Sequence, residues 1–277
     1  MEIEYVNCNL CGSNDATTLE QEEPLALVKC RRCGLIYVNP QPSKQELFKH
    51  YGQENYYAEW LGEQFQARKK MWQRRFRKIQ TLKAPGRLLD VGCGSGIFLD
   101  EVKIHGWQVW GTEVSEFAVK HARDTFGIEV FKGELPDARF SDESFDVITI
   151  WHVLEHTKDP FNTLKEVRRI LKSDGVVIIA VPNVHCYLYN IAYTLIKLRR
   201  PKLLYLDSKE IHLYHFHTGT LKRMLEKGGL STVKFDVDRE RILMRERIID
   251  EVGWALYKIT RVNISNTIEV CCKKIEN

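Results

Sequence analysis

The sequence predicts an α/β fold preceded by a small cysteine-rich module, and three observations support this prediction. From residue 87 onward, short apolar segments alternate with longer stretches of helical periodicity, a pattern typical of a parallel sheet covered by helices. A glycine-rich turn follows the first apolar segment, as in many folds that bind nucleotides. Four of the eight cysteines occur as two C-x2-C pairs within the first 33 residues.

The two cysteine pairs have the spacing of a zinc site. Two residues between the thiols allow one tight turn to point both sulfurs at a tetrahedral ion, and each pair is followed directly by a glycine. A segment this short buries little core, so the ion would supply most of its folding free energy. We therefore expect a zinc ribbon over residues 1–42, whose ion is structural because four thiolates close its coordination sphere. The expected ligands are Cys8, Cys11, Cys30 and Cys33.

Seven strands and the helices that connect them are predicted after the ribbon. Residues 43–83 are expected to form a helical linker that covers the ligand site, and residues 84–277 to form the main domain, with a lid insertion at 183–210 and a helical insertion at 240–262. The predicted strands are 87–91, 108–112, 129–131, 145–151, 176–181, 232–237 and 267–271. The predicted helices are 96–105, 116–125, 161–171, 218–227 and 240–260.

Composition and charge narrow the class of protein. The net charge of +4 over 277 residues is too small to indicate nucleic-acid binding. The densest basic run, at 68–78, shares a helical pattern with apolar residues, and we expect its charges to lie on a solvated helix face. The first residues lack the basic and apolar regions of a secretory signal, and no apolar run is long enough to span a membrane. We therefore expect a cytoplasmic protein without a transmembrane segment.

The glycine-rich turn indicates the kind of ligand. It begins at Asp90, at the end of the first strand, and reads D-V-G-C-G-S-G. Ile97 stands where the NAD-binding fingerprint has its third glycine, which argues against a dinucleotide. Glu113 ends the next strand, where a carboxylate can accept hydrogen bonds from both ribose hydroxyls. Two carboxylates near one pocket suit a ligand with a cationic centre and no phosphate, such as S-adenosylmethionine.

Together with several later segments, these motifs resemble class I S-adenosylmethionine-dependent methyltransferases, most closely the ubiquinone-biosynthesis-like small-molecule type. The later segments are 142–148, 151–156, 169–175 and 181–183. The resemblance covers roughly residues 50–235 and implies a Rossmann-like seven-stranded methyltransferase sheet with an antiparallel last strand. The segment 33–40 resembles the zinc-ribbon region found on a subset of these enzymes, some of which act on nucleotide-linked sugars.

The resemblance implies a set of cofactor-binding residues. The glycines of the turn would line the methionine and ribose, Glu113 would hold the ribose hydroxyls, and Val114 would pack against the adenine. Glu134 and Leu135 stand nearest the position that contacts the adenine amino group. The full expected set is Asp90, Gly92, Gly94, Gly96, Glu113, Val114, Glu134, Leu135, Trp151 and Tyr57, with Tyr56 as the alternative to Tyr57.

Histidines supply the candidates for acid–base chemistry, because an imidazole titrates near neutrality and can take the proton lost by a methylated group. The candidate catalytic residues are His152, His212 and His215. For His156 and His217 we favour a structural, hydrogen-bonded role. No carboxylate or cysteine keeps ligand spacing with these histidines, so the sequence does not predict a second metal site.

The sequence therefore predicts methyl transfer from S-adenosylmethionine to a small-molecule acceptor, such as a nucleotide-linked sugar or another surface or secondary metabolite. A ribosomal-RNA methyltransferase is one alternative, and the modest charge and the lack of an N-P-P-Y motif after the fourth strand argue against it. A non-catalytic scaffold that keeps the fold is a second alternative. A dehydrogenase is the third, and it would prefer NAD in the same pocket.

Overall fold

The computed structural model describes residues 1–51, 61–62, 65–205, 211–238 and 244–275. The strands are, in chain order, β1 (Ile3–Glu4), β2 (Ala16–Glu22), β3 (Leu25–Cys30), β4 (Ile36–Val38), β5 (Gln41–Pro42), β6 (Arg87–Val91), β7 (Gln108–Glu113), β8 (Glu129–Lys132), β9 (Phe145–Trp151), β10 (Leu171–Pro182), β11 (Tyr214–His215), β12 (Leu230–Asp236) and β13 (Thr267–Lys274). The helices are α1 (Lys44–Tyr51), α2 (Phe65–Leu82), α3 (Ile97–Lys103), α4 (Glu116–Phe126), α5 (Pro160–Ile170), α6 (Tyr187–Lys197), α7 (Thr218–Lys227) and α8 (Met244–Thr260), and a short 3-10 helix spans Leu135–Ala138.

The central sheet has seven strands in the order β12-β13-β10-β9-β6-β7-β8. The five strands from β10 to β8 in this order run parallel to one another. β13 runs antiparallel to both β10 and β12, with Ile179 opposite Val270. The predicted seven-stranded sheet with an antiparallel last strand is thus confirmed. The largest difference in a strand boundary is at β10, which begins at Leu171 rather than Val176 because an irregularity in register separates the two.

Alternating residues of the parallel strands pack on opposite faces of the central sheet, as the strand pleat requires. Leu88 of β6 belongs to an apolar cluster with residues of α2, α3 and α4. Leu89, the next residue, belongs to a second cluster with residues of α5 and α7. Both faces of the sheet are therefore covered by helices. Among the described helices, none combines the length and the apolar character needed to cross a membrane.

Local sequence explains where several helices begin and end. Ser115 caps α4 and Asp159 caps α5, and each side chain accepts a backbone N–H bond of the first turn. α4 ends at Gly127, whose φ of 59° is the left-handed conformation that glycine adopts at low cost. His217 caps α7, and its Nδ1 accepts a 3.1 Å hydrogen bond from the N–H of Gly219.

The N-terminal module is joined to the rest of the chain through a shared sheet. The four strands of this sheet have the order β11-β4-β3-β2, and β11 comes from the chain that follows β10 and α6. Tyr214 of β11 pairs with Tyr37 of β4, and His215 pairs with Ile36. One apolar cluster extends through both parts. The module therefore packs directly against the segment that carries two of the candidate histidines.

Candidate active site

The predicted ligand-binding residues gather at one edge of the central sheet, where the carboxyl ends of its parallel strands meet. Asp90 lies in β6, Glu113 ends β7 and Trp151 ends β9. Glu134 and Leu135 follow β8. Open α/β sheets bind ligands at this edge, next to the point where the strand order reverses. Here that point lies between β6 and β9.

The turn between β6 and α3 requires glycine at three alternate positions. Gly92, Gly94 and Gly96 have φ values of 70°, 54° and 84°, which lie in the left-handed region that favours glycine. A Cβ atom on residue 92 would lie 2.3 Å from Cγ2 of Val153, and one on residue 96 would lie 2.8 Å from Cβ of Ala122. The turn therefore presents bare backbone at the carboxyl end of β6.

Replacing Gly92 with alanine is expected to lower the free energy of unfolding, because left-handed strain of about 1–2 kcal/mol adds to an overpacking cost of about 1–3 kcal/mol against Val153. Gly106→Ala is the matched control, since Gly106 has a φ of 85° but no atom within 4 Å of its Cβ position. Urea denaturation of the two variants measures the difference. An equal loss in both variants would show that contact with Val153 does not constrain the turn.

Glu113 is held in one orientation by the backbone around it. Its Oε2 accepts a 2.9 Å hydrogen bond from the N–H of Gly94. Its Oε1 accepts hydrogen bonds from the N–H groups of Val114 and Ser115, at 2.8 Å and 2.9 Å. The residue is only 6% exposed. Glu113 thus ties the end of β7 to the glycine turn and places a fixed acceptor group between them.

Asp90 is a second carboxyl group at the same edge, and it is almost fully buried. The hydroxyl of Thr149 donates a 2.6 Å hydrogen bond to Oδ1 of Asp90. Burial raises the pKa of Asp90 to about 7, although this hydrogen bond and the charge of Arg75 act in the opposite direction. A cation bound beside a carboxyl group favours its ionised form. The charge of Asp90 can therefore respond to a cationic ligand near neutral pH.

We expect the charged residues of the basic run at 68–78 to lie on a solvated helix face, and this prediction is wrong for one of them. Arg75 of α2 is buried, with 2% of its side chain exposed. Its guanidinium carbon lies 4.5 Å from the ring centroid of Trp72 and 4.4 Å from that of Trp151. Asp238 accepts a 3.2 Å hydrogen bond from Nε and pairs with Nη2. The signal was present in the sequence, because Arg75 lies three residues after Trp72 and so shares its helix face.

His152 lies between two buried carboxylates. Its Nε2 is 3.4 Å from Oδ2 of Asp238, and its Nδ1 is 3.6 Å from Oε1 of Glu155. Its φ of 56° places it in a left-handed turn directly after β9. Although burial opposes ionisation, the charge of Arg75 and the contact with His152 hold the pKa of Asp238 far below its ordinary value. The two carboxyl groups flank the ring and can stabilise positive charge that develops on it.

His212 and His215 lie on the chain that leads into and through β11. The N–H of Leu213 donates a 2.8 Å hydrogen bond to the carbonyl of Glu155. The ring centroid of His212 is 4.8 Å from that of His156. Burial lowers the pKa of His215 to about 4 and lowers that of His212 well below its ordinary value, and the neighbouring imidazoles act in the same direction. Both rings are therefore neutral at neutral pH and are weaker bases than an exposed imidazole.

The remaining predicted cofactor-binding residues are Glu134, Leu135 and Tyr57, and their environments differ. Glu134 forms a 2.6 Å ion pair with Lys44, the first residue of α1. Leu135 is buried at the start of the 3-10 helix. Tyr57 and its alternative Tyr56 lie outside the described residues. A ligand that reaches Glu134 would therefore also meet the ammonium group of Lys44.

The four cysteines of the N-terminal pairs converge on one point. Sγ of Cys8 lies 3.4 Å from Sγ of Cys33, and Sγ of Cys11 lies 3.5 Å from Sγ of Cys30. All four sulfurs lie within 4.8 Å of one another. Sulfurs bound to a tetrahedral zinc ion at about 2.3 Å are roughly 3.8 Å apart. The cluster thus fits a single four-coordinate ion after small shifts of the sulfur atoms.

Three side chains of this region are not among the site residues predicted from the sequence. Asp238 meets Arg75 across a separation of 163 residues, and Trp72 lies on the same helix as Arg75. Glu155 lies between the histidines of the segment 151–156, and both of its carboxylate oxygens are buried without a hydrogen-bond partner among the described residues. In the sequence, the position of Glu155 directly before His156 could have identified it as a site residue. The sequence around Asp238 contains no such indication.

Comparison with known proteins places this geometry in a family. Residues 62–234 match the family model described as "Methyltransferase domain". The demethylmenaquinone methyltransferase of Staphylococcus saprophyticus is 31% identical over 116 residues, which cover 39% of this chain and 50% of that protein. The ubiquinone biosynthesis O-methyltransferase of Haemophilus ducreyi is 36% identical over 123 residues, which cover 39% of this chain and 52% of that protein. The chain thus spans about half the length of these curated relatives.

A solved structure shares the fold described above. The S-adenosylmethionine-dependent methyltransferase of Archaeoglobus fulgidus aligns with a TM-score of 0.51 at 23% identity, covering 75% of this chain and 94% of that one. The family match includes the glycine turn, Glu113, Trp151 and the candidate histidines, and it ends just before Asp238. Because this match extends over more than half of the sequence, the chain belongs to the methyltransferase-domain family.

Proposed function

We propose that the protein transfers a methyl group from S-adenosylmethionine to a small-molecule acceptor. The observation that carries this proposal is the contact between the glycine turn and Glu113, where the N–H of Gly94 donates to the carboxylate at 2.9 Å. A carboxylate fixed at this position can accept hydrogen bonds from ribose hydroxyls while the bare turn admits the rest of the nucleoside. Asp90 adds a second carboxyl group, which favours a cationic ligand over the pyrophosphate of NAD.

The residues at the carboxyl edge fit this cofactor. When bound, S-adenosylmethionine supplies a methyl carbon made electrophilic by its sulfonium. The glycine turn would lie along the methionine and ribose, Glu113 would hold the ribose hydroxyls, and Val114 and Leu135 would contact the adenine. Trp151 offers an indole Nε1 that is buried without a hydrogen-bond partner among the described residues. A buried donor of this kind indicates a site that a polar ligand can complete.

His152 is the residue we place in the role of proton acceptor. It takes the proton that an acceptor hydroxyl loses as its oxygen forms the new bond to carbon and the carbon–sulfur bond breaks. Asp238 and Glu155 then stabilise the imidazolium, as a carboxylate does for the histidine of a hydrolytic triad. His215, with a pKa of about 4, is too weak a base for this role and would serve as a neutral hydrogen-bonding group. His212 would have a similar non-basic role.

The similarities of the chain suggest two classes of methyl acceptor. One curated relative is named a demethylmenaquinone methyltransferase and the other a ubiquinone biosynthesis O-methyltransferase, whereas the resemblance of segment 33–40 favours nucleotide-linked sugars. An assay with S-adenosylmethionine labelled in the methyl group, offered separately phenolic quinone precursors, nucleotide-linked sugars and ribosomal RNA, tests the proposal. We expect label in one small-molecule pool, and much less transfer by Glu113→Ala at low cofactor concentration. Label in RNA would favour the nucleic-acid alternative, and cofactor binding without transfer to any pool would favour the scaffold.

The four-cysteine cluster is proposed to hold a structural zinc ion. Burial raises the pKa of the Cys33 thiol to about 11, and it raises that of Cys8 further. A bound cation that ionises these thiols would offset this cost. The ion would fix the turns that precede β2 and β4, and β4 pairs with β11. The zinc module would thereby support the segment that carries His212 and His215.

The affinity for S-adenosylmethionine is expected to rise with pH until about neutrality. Asp90 has a pKa of about 7 in the free protein, and a bound cation would favour its ionised form. Binding therefore releases a proton below this pKa, and the dissociation constant should increase about tenfold for each pH unit below 7 and stay level above it. Isothermal titration at several pH values measures this dependence. Asp90→Asn should bind more weakly at high pH but without the slope, and an equal slope in that variant would assign the effect to another group.

A further inference from the structure

A group of histidines surrounds Glu155 beside the proposed methyl-transfer site. The ligand atoms of Glu155, His156 and His212 all lie within 4.8 Å of one another. Two imidazoles and one carboxylate are a donor set that binds divalent transition metals such as zinc, manganese and iron. We propose that these three residues bind a divalent metal ion that is separate from the ion of the cysteine module.

The first support comes from Glu155. The residue is 1% exposed, and both carboxylate oxygens lack a hydrogen-bond partner among the described residues. Ring nitrogens of His152 and His156 lie 3.6 Å and 3.9 Å from Oε1, which is beyond hydrogen-bonding distance. A buried carboxylate without such bonds is costly to keep. A cation bound between Glu155 and the imidazoles would neutralise the buried carboxylate and give its oxygens a partner.

The second support is the orientation of His156. Its Nδ1 lies 3.0 Å from the carbonyl oxygen of Ile211. A carbonyl can only accept a hydrogen bond, so Nδ1 carries the hydrogen and Nε2 keeps its lone pair. The hydroxyl of Tyr51 lies 3.0 Å from the same Nδ1. Metal-binding histidines commonly donate their other ring N–H to a carbonyl or carboxylate in this way, which fixes the tautomer and the ring orientation.

The third support is the backbone that holds His212 in place. The N–H groups of Leu213 and Tyr214 donate hydrogen bonds of 2.8 Å and 3.1 Å to the carbonyl of Glu155. The residue after Tyr214 continues β11, which pairs with β4 of the N-terminal module. His212 is thus tied by main-chain bonds to the residue that supplies the carboxylate. Ligands held on such a framework need little rearrangement to bind an ion.

The ion would extend the chemistry proposed above. Three protein ligands leave at least one coordination position open, as in catalytic rather than structural metal sites. A hydroxyl bound at that position would have a lower pKa, and His152, whose Nδ1 lies 3.6 Å from Oε1 of Glu155, would be the group that receives the proton. This catalytic role rests on the proposed function. Binding of the ion does not, and it can be measured without cofactor or acceptor.

Electron paramagnetic resonance tests the proposal on the chain supplied with one equivalent of zinc, which the four thiolates take up, and then titrated with Mn²⁺. Free Mn²⁺ loses its sharp spectrum on binding, and thiolates bind it poorly. We expect one Mn²⁺ per chain in the wild type. Glu155→Gln and His212→Gln should each weaken that binding at least about tenfold. Glu101→Gln is the matched control, since Glu101 is also buried beside a histidine, His105, but belongs to no three-ligand group among the described residues.

The outcomes are distinct. Mn²⁺ binding that is weakened in both site variants and unchanged in Glu101→Gln would support the site, whatever the result of methyl-transfer assays. Absence of a bound Mn²⁺ in the folded wild type would overturn the proposal. Binding that persists in both Glu155→Gln and His212→Gln would overturn it as well, because the ion would then lie elsewhere. If Glu155→Gln fails to fold, His212→Gln decides the question, because the side chain of His212 is less deeply buried than that of Glu155.

Discussion

Replacing Arg75 with methionine is expected to lower the free energy of unfolding by about 3–5 kcal/mol, because the Asp238 carboxylate would stay buried without its cation. Asp238 is 1% exposed and accepts a 3.2 Å hydrogen bond from Nε of Arg75. The rings of Trp72 and Trp151 flank the guanidinium, so cation–π contacts are lost as well. Urea denaturation followed by circular dichroism measures the change.

Two companion variants separate the ion pair from other effects of this substitution. Arg77→Met removes an exposed arginine from the same helix and should change stability little. Adding Asp238→Asn to Arg75→Met should restore part of the lost stability, because it removes the unpaired charge. The interpretation of a buried ion pair would be wrong if Arg75→Met were no less stable than Arg77→Met. It would also be wrong if Asp238→Asn gave no recovery.

Replacing Cys30 with serine is expected to release the zinc ion and unfold the N-terminal module, because structural zinc contributes about 10–16 kcal/mol of binding free energy in comparable small modules. Cys30 ends β3 and is fully buried next to Cys11. Since β4 pairs with β11, amide exchange should accelerate in both strands. Metal analysis gives the zinc content, and hydrogen–deuterium exchange reports on the strands.

Cys271→Ser is the control for this experiment. Cys271 lies in β13 of the central sheet, away from the four-cysteine cluster, and its loss should leave the zinc content equal to that of the wild type. We expect the central sheet to remain protected from exchange in both variants. A Cys30→Ser protein that keeps the full zinc content of the wild type and slow exchange at β4 and β11 would contradict the structural role of the ion.

Much of the central sheet could be predicted from the sequence. The buried parallel strands read as apolar runs, and the turn after β6 has glycines that no other residue can replace without strain. β11 could not be predicted, because Tyr214 and His215 are too few for any periodicity to appear. The strand exists through its pairing with Tyr37 and Ile36, residues far away in the sequence. Its formation depends on tertiary structure rather than on local preference.

In the candidate site, too, some residues could be predicted from the local sequence and others depend on tertiary contacts. Glu113 and the glycines could be predicted because each follows the end of a strand, where the fold gathers ligand-binding groups. Arg75 and Asp238 could not be predicted as a pair, because the contact joins residues 163 positions apart. The absence of ligand spacing argued against a second metal site. Glu155 directly precedes His156 in the sequence. Main-chain hydrogen bonds from Leu213 and Tyr214 to the carbonyl of Glu155 then bring His212 close to both residues. Sequence spacing alone cannot reveal ligands assembled in this way.

Isothermal titration with S-adenosylmethionine, S-adenosylhomocysteine and NAD examines whether the carboxyl edge binds the proposed cofactor. We expect binding of the first two ligands and none of NAD. Glu113→Ala should weaken binding about 100-fold, because two hydrogen bonds to a charged group, worth about 1.5 kcal/mol each, are lost. Glu116→Ala, which removes an exposed carboxylate three residues later, should bind normally. A folded protein that binds no S-adenosylmethionine, or a Glu113→Ala variant that binds it as well as the wild type, would contradict the proposed cofactor site.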